Sequence, residues 1–332
     1  LHALLLRHLD GHRGSPVAGS CSRVGLREGA RGDPRELGSG VAGDAGESLP
    51  SGPLARQHRT LEQGLRAWVE AQTGQSLGYV EQLYTFGDLD RQLSSIPAGG
   101  GRVLSIGYLA LVREPRHRTG ESAAWQDWYR YFPWEDWRGG RPAVLADMEP
   151  ALEAWAGAPA TAGERQNRRE RLGVAFGAGP GGWSEDRALE RYELAYETGL
   201  VQEARSPGPA RRGIGVAMAA DHRRILATAI ARLRGKIKYR PVVFELMPPA
   251  FTLLQLQQAV EALAGVRLHK PNFRRLVEQQ GLVEETGAVT LGTGGRPARL
   301  VRFRREALIE RPAPGLRVRS RSGARSGPGP GG

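Results

Sequence analysis

Residues 269–304, HKPNFRRLVEQQGLVEETGAVTLGTGGRPARLVRFR, constrain the fold more than any other stretch of the chain. Pro271 suits the first position of a helix, where its missing N–H costs nothing, and Gly281 marks a helix end. Phe273, Leu276 and Val277 recur at helical spacing, so one narrow face can be buried. Lys270, Asn272, Arg274, Arg275 and Gln279 occupy the remaining surface, and such side chains pair with phosphates or with base edges in a major groove. Beyond Gly281 come Leu282 and Val283, then turn signals at Thr286-Gly287 and at Gly292 to Pro297. In Ala298 to Arg304, Val301 and Phe303 alternate with Arg302 and Arg304, as a half-buried strand requires. Taken singly, each arginine reads as a solvated face. A basic helix followed by a hairpin, with charge on one side, points to DNA.

The residues upstream supply what this unit must pack on. Asp221 can cap a helix whose face is Ile225, Leu226, Ala229, Ile230 and Leu233, ending at Gly235. Val242 to Leu246 then read as a short strand between Pro241 and Pro248-Pro249. Thr252 and Gln255 form a capping box flanked by Phe251 and Leu256 at the staple positions. Leu253, Leu256, Val260 and Leu263 give the buried stripe of a helix closed by Gly265. Helix, short strand, helix, helix and hairpin is the order of a winged helix-turn-helix domain, placed at residues 218–310. In that geometry residues 271–280 enter the major groove, and Arg296 and Arg299 on the wing meet the backbone or the minor groove.

Charge agrees. The chain carries 47 Lys or Arg against 35 Asp or Glu, a net +12, and residues 265–325 hold 14 Lys or Arg against 5 Glu. An excess of this size in the last fifth of the chain attracts a polyanion with salt-sensitive, steered association. A single cysteine, Cys21, rules out an internal disulfide and suits a reducing compartment. The apolar run Ala3 to Leu6 is short for a signal-peptide core, and no segment approaches the ~20 apolar residues that span a bilayer. A cytoplasmic protein with no membrane partner is expected.

Residues 1–48 hold ten glycines, many arginines and no apolar periodicity after Leu6, with no initiator Met. They read as a disordered segment, or as an aberrant or truncated start. From Leu49 the pattern changes. Thr60 to Gly74 is helix-like, with Leu61, Leu65, Trp68 and Val69 on one face. Gly78 to Phe86 and Arg102 to Val112 are strand candidates, the second apolar enough to lie centrally in a sheet. Residues 121–137, ESAAWQDWYRYFPWEDW, hold four of the seven tryptophans; such a cluster either stacks a base or fills a packing junction, and packing is the commoner role. Helices are expected over Pro142 to Trp155, over Glu164 to Phe176, and after Ser184 as a cap with Leu189, Tyr192 and Tyr196 on one face. Residues 151–217 thus form a helical connector that ends in a Pro, Gly and Arg rich linker over 202–215, and 311–332 form a disordered basic tail.

The strings LPSG with TLEQGLRAWVEAQTG, YVEQLYTFGD and VLSIGYLALV resemble the Nudix-type domain of Nudix-related transcriptional regulators of NAD metabolism, the NrtR-like group. DHRRILATAIARLRGKI, FELMPPAFTL, KPNFRR and GGRPARL resemble that family's DNA-binding domain, and WYRYFPWEDW and RYELAYETGLV are similar to its connecting region. The likeness is to the branch found in alphaproteobacteria. It implies an α+β chain in which a Nudix-like α/β/α sandwich at residues 49–150, lacking its first strands, is joined by helices to the winged helix. It also implies a homodimeric repressor of NAD metabolism genes that binds double-stranded operator DNA. A nucleotide effector (ADP-ribose, NAD or ATP) would be sensed by the first domain, with Tyr79, Glu81, Tyr84 and Phe86 of YVEQLYTFGD as its contacts, and no cofactor is implied.

A working Nudix box, R-E-U-x-E-E-x-G, uses adjacent glutamates on one helical turn to hold magnesium against a pyrophosphate. Aligned on Thr73-Gly74, this chain has Ala67 and Trp68 for the Arg-Glu pair and Ala71 and Gln72 for the metal ligands. A shift of one residue recovers Arg66 and Glu70 but leaves Ala67 and Ala71. Neither register holds the carboxylate pair, so no catalytic residue and no metal ligand is expected. The alternatives are a pyrophosphohydrolase acting on ADP-ribose or a related nucleotide, and a purely structural or protein-binding module.

Overall fold

The protein was analysed as a computed structural model that describes residues 2–7, 23–27, 47–51, 57–73, 76–88, 104–112, 123–177, 182–204, 213–290, 297–310 and 315–316. The first half is built on a five-stranded sheet in the order β3-β4-β1-β2-β5. Its strands are β1 (His2–Arg7), β2 (Arg23–Arg27), β3 (Val80–Phe86), β4 (Ser105–Val112) and β5 (Ala123–Asp127). β1 runs parallel to β4, and the other neighbours are antiparallel.

Two of these strands correct the expectation that residues 1–48 hold no folded element, and they move the start of the sandwich from residue 49 to His2. β1 lies between β4 and β2, and such a strand reads as an unbroken apolar run, here Ala3 to Leu6, instead of an alternation. A run of four residues is too short to be told from noise by periodicity.

Alternation along β4 sorts its side chains onto two layers. Tyr108, Ala110 and Val112 pack on one face with Leu65 and Val69 of α1 (Leu61–Thr73) and with Leu77. Leu109 and Leu111 face the opposite layer with Leu83 and Phe86 of β3 and with helix α5 (His222–Ile237). The result is an α/β/α sandwich in which α5 covers one side of the sheet. Gly107 makes the approach close, since a Cβ there would lie 3.2 Å from the Ile225 Cγ2.

Between sheet and α5 come α2 (Val144–Gly157), α3 (Ala162–Phe176) and α4 (Ala188–Glu197). α3 starts on Thr161, whose hydroxyl accepts from the Glu164 amide at 3.2 Å, and α4 packs along α5. Ser184 and Asp221, expected as helix caps, make no side-chain cap bond. Ser184 instead donates to Asp186, at the head of a 3₁₀ turn that precedes α4. The aromatic run fills the junction. Trp128, Tyr131, Phe132 and Trp134 are buried in one core with Tyr192 of α4 and with residues of α5, so packing is its role.

The second half comprises α5, a 3₁₀ turn (Val242–Leu246), α6 (Leu253–Ala264), α7 (Lys270–Gln279), β6 (Val283–Thr290), β7 (Ala298–Phe303) and a last short helix, α8 (Ala307–Glu310). Val242–Leu246 was expected as a strand. It is a 3₁₀ turn in which Val242, Val243, Phe244 and Leu246 are buried. The bridge to the hairpin is made one step later, by Phe251, which exchanges backbone bonds of 2.9 and 2.8 Å with Val301 of β7. The capping box at Thr252 and Gln255 is present in both directions. The expected turn at Thr286-Gly287 is instead an irregularity inside β6, between Glu285 and Val289, which Gly287 accommodates at φ +77°.

α5 therefore belongs to both halves, and the main core runs without a break from Leu49 to Leu316. The C-terminal unit shares one core with the connector across residue 218. At the tail, Leu316 is buried and donates its amide to the Ile237 carbonyl at 2.8 Å, while 317–332 lie outside the described residues.

His222 records how tightly the start of α5 is sealed. Its Nδ1 accepts from the Leu49 amide at 2.9 Å, and burial pushes its pKa down to about 4 from 6.5. Between those values the unfolded chain takes up a proton that the folded chain refuses. Stability is therefore full above pH 6.5 and falls as the pH drops toward 4, by about 3 kcal/mol from this group. Urea unfolding at pH 7 and pH 5 should show the loss, and His222→Gln should reduce it.

Candidate nucleic-acid interface

Phe273 and Val277 of α7 are buried and Leu276 is half-buried, so the helix is anchored along one stripe. Every side chain expected to meet DNA from this helix, Lys270, Asn272, Arg274, Arg275 and Gln279, is exposed. At 3.6 residues per turn they divide around the helix. Arg275 lies opposite the buried stripe, Asn272 and Gln279 run along one side of the helix, and Lys270 and Arg274 along the other. Among the described residues, none of the three cations has an acidic partner.

The wing differs. Arg299 Nη1 is 2.7 Å from Glu285, and Arg302 Nε is 2.5 Å from Glu284. Both are cross-strand pairs with exposed partners. Arg296 lies outside the described residues. Arg304 pairs with Glu310 and donates to the Gly281 carbonyl at 3.0 Å, which ties the hairpin base to the end of α7.

The turn between α6 and α7 is held from outside the domain. Gly265 accepts from the Trp137 amide at 2.7 Å, Val266 forms a parallel bridge with Trp137, and Arg267 Nε donates to the Arg138 carbonyl at 3.2 Å. Beneath this clamp lies Glu135, buried against two arginines. Arg191 of α4 donates to it at 2.5 and 2.9 Å, and Arg234 of α5 is its second partner. Burial pushes the Glu135 pKa up, but the pull of Arg191 and Arg234 outweighs it and the carboxyl is held below its ordinary value. Arg234 also donates to the Leu263 carbonyl at 2.9 Å, reaching the last turn of α6. None of this was visible in the sequence, because the partners are far apart along the chain.

The residues expected to contact a nucleotide divide between the contact of sheet with α5 and the solvent. Tyr79 donates to Glu81 at 2.8 Å, and Lys236 of α5 reaches both, at 2.8 Å from the Tyr79 hydroxyl and 2.5 Å from the Glu81 carboxylate. Arg232 lies 3.8 Å from Glu81. Phe86 is buried against α5, whereas Tyr84 is exposed. A bulge in β3 between Gln82 and Thr85 explains the split, since it shifts the alternation by one residue. Three of the four are thus contacts between sheet and α5. Lys236 escaped sequence reasoning, although Arg232 and Lys236 share a helical face. On α1, Arg66 bonds Glu62 at 2.9 Å and the Leu77 carbonyl at 2.5 Å, and Glu70 is exposed two turns beyond Glu62.

Comparison with known proteins bears on the second half first. Residues 243–303 match the model of the NrtR DNA-binding winged helix domain. Over those residues the chain resembles an NrtR-type winged helix. Over 86 residues the chain is 44% identical to an ADPR responsive transcriptional repressor, NtrR, of Acinetobacter baylyi, a match covering 26% of this chain and 34% of that protein. The chain thus aligns with about a third of that relative's length. In structure it is similar to Shewanella oneidensis NrtR solved with a 27mer DNA, at TM-score 0.52 and 19% identity over 93% of this chain and 94% of the other. NrtR of the same organism without DNA gives TM-score 0.52 at 19% identity, over 92% and 94%. At that identity the likeness speaks for the fold alone: a sandwich followed by a winged helix.

Proposed function

We propose that the chain is a ligand-responsive transcriptional regulator, a repressor of NAD metabolism genes, that binds operator DNA through α7 and senses an NAD-related nucleotide in its sandwich. The observation that carries this reading is the exposed, unpaired basic surface of α7 on an NrtR-type winged helix. Arg275 projects furthest from the core and, with Asn272 and Gln279 on one side of the helix, is assigned to base edges; Lys270 and Arg274, on the other side, are assigned to phosphates. Two copies related by a two-fold axis would set two such helices about one DNA turn apart. The repressor named above is described as ADPR responsive, which makes ADP-ribose the first effector to test, before NAD and ATP. Lacking the paired glutamates of a hydrolase on α1, the sandwich would bind the nucleotide without cleaving it, and no catalytic or metal-binding residue is assigned.

An effector acts on DNA binding only if it binds two poses of the reader unequally. The segment that joins sandwich to reader is α5, held to β3 by Lys236, Glu81 and Tyr79. A mobility-shift titration with promoter duplexes of NAD biosynthesis genes, adding ADP-ribose, NAD and ATP in turn, tests the whole reading. Arg275→Ala should lose about 1–3 kcal/mol, unevenly across operator variants. Binding indifferent to salt, or magnesium-dependent turnover of ADP-ribose, would overturn the proposal.

A further inference from the structure

The wing and the recognition helix carry their charge differently. On α7 the cations are exposed without acidic partners among the described residues; on the hairpin, Arg299 and Arg302 are each held by a glutamate of β6. The two glutamates also sit on opposite faces of the hairpin. Glu285 is opposite Val301, whose side chain is buried in the core, so Glu285 and Arg299 share the face of the hairpin that carries Val301. Glu284 is opposite Arg302, on the outer face that turns away from the core.

We propose that Glu285 is a specificity-determining residue that restrains the wing. It holds Arg299 at 2.7 Å, and Arg299 reaches a phosphate only by giving up that partner. The physical reason is simple. Side chains of Arg299 and Glu285 are 76% and 63% exposed, so the pair is weak and easily exchanged, yet a carboxylate left beside DNA repels the backbone that its arginine approaches. Contact through the wing therefore requires a site that seats α7 well enough to offset the exchange, and non-specific duplex is gripped by α7 alone. This inference rests on the DNA-binding reading and concerns how its affinity divides between the two elements.

The test compares wild type, Glu285→Gln and Glu284→Gln on a random-sequence DNA duplex spanning two helical turns, by fluorescence anisotropy across a salt series. Both variants remove one negative charge, so a general effect of net charge would move them equally. Glu285→Gln is expected to bind about three- to tenfold tighter, with a salt slope steeper by about one, the signature of one more phosphate contact. Glu284→Gln should stay within about twofold of wild type with an unchanged slope. Equal gains for the two variants, or no gain for Glu285→Gln while wild type binds, overturn the restraint and leave the DNA-binding reading standing. A wild-type chain that binds no duplex at low salt overturns both.

Discussion

Glu135→Gln is expected to lower the unfolding free energy by about 3–5 kcal/mol, because it removes the charge that compensates two buried guanidinium groups. Arg191 is fully buried and Arg234 nearly so, and both direct donors at this one carboxylate. A neutral amide of the same shape keeps the volume, so a large loss would measure charge compensation and not a cavity. Urea unfolding reads it, and a loss below about 1 kcal/mol would show that neighbouring carbonyls of Ala175, Ser184 and Glu185 suffice for Arg191. DNA affinity should fall as well, since Arg234 also holds the last turn of α6.

Gly265→Ala should cost about 3 kcal/mol or more. Gly265 ends α6 at φ +75°, a conformation that side chains resist, and a Cβ there would collide with the Glu135 carbonyl oxygen and lie 2.8 Å from Arg234 Nη2 and 2.9 Å from the Tyr129 hydroxyl. The clamp on the α6–α7 turn would have to open to admit it. Gly287→Ala in the wing is the matched control. It shares the positive φ, at +77°, but nothing lies within 4 Å of its Cβ, so the backbone cost of about 1 kcal/mol stands alone. Thermal unfolding of the two variants should differ accordingly, and equal losses would refute the role assigned to the clamp.

Local signals were read well from the sequence. The capping box at Thr252 and Gln255, the buried face of α5 from Ile225 to Leu233, and the amphipathic α7 all depend on residues within one or two turns of each other. Where tertiary context decides, local reading failed. Val242 to Leu246 has strand-forming residues yet turns as a 3₁₀ helix with its four apolar side chains buried, an outcome that local propensity does not decide. β1 and β2 pair with each other, but their other partners, β4 and β5, lie about a hundred residues further along the chain, beyond the reach of local patterning. The site divides in the same way. The exposed residues of α7 follow from periodicity, whereas the partners of Tyr79 and Glu81 on α5 lie 157 and 155 residues away, and no spacing rule reaches that far. Glu285 was legible as a residue but not as the partner of Arg299, since the bulge at Gly287 sets which side chains meet.

The stretch that composition marks as an interdomain linker has a different mechanical meaning. Its two ends are fastened together: the Ile214 amide donates to the Leu200 carbonyl at 2.7 Å, and α4 and α5 on either side pack on each other, with Glu193 holding Arg224 at 2.6 Å. Residues added between them lengthen a closed loop at about 0.6 kcal/mol per doubling, and leave the pose of the reader untouched. The stretch is therefore a place where the chain tolerates inserted length, not a pivot. Any swing of α7 has to arise by repacking along α5, where a displacement on the sheet side is also a displacement on the side of α6 and α7.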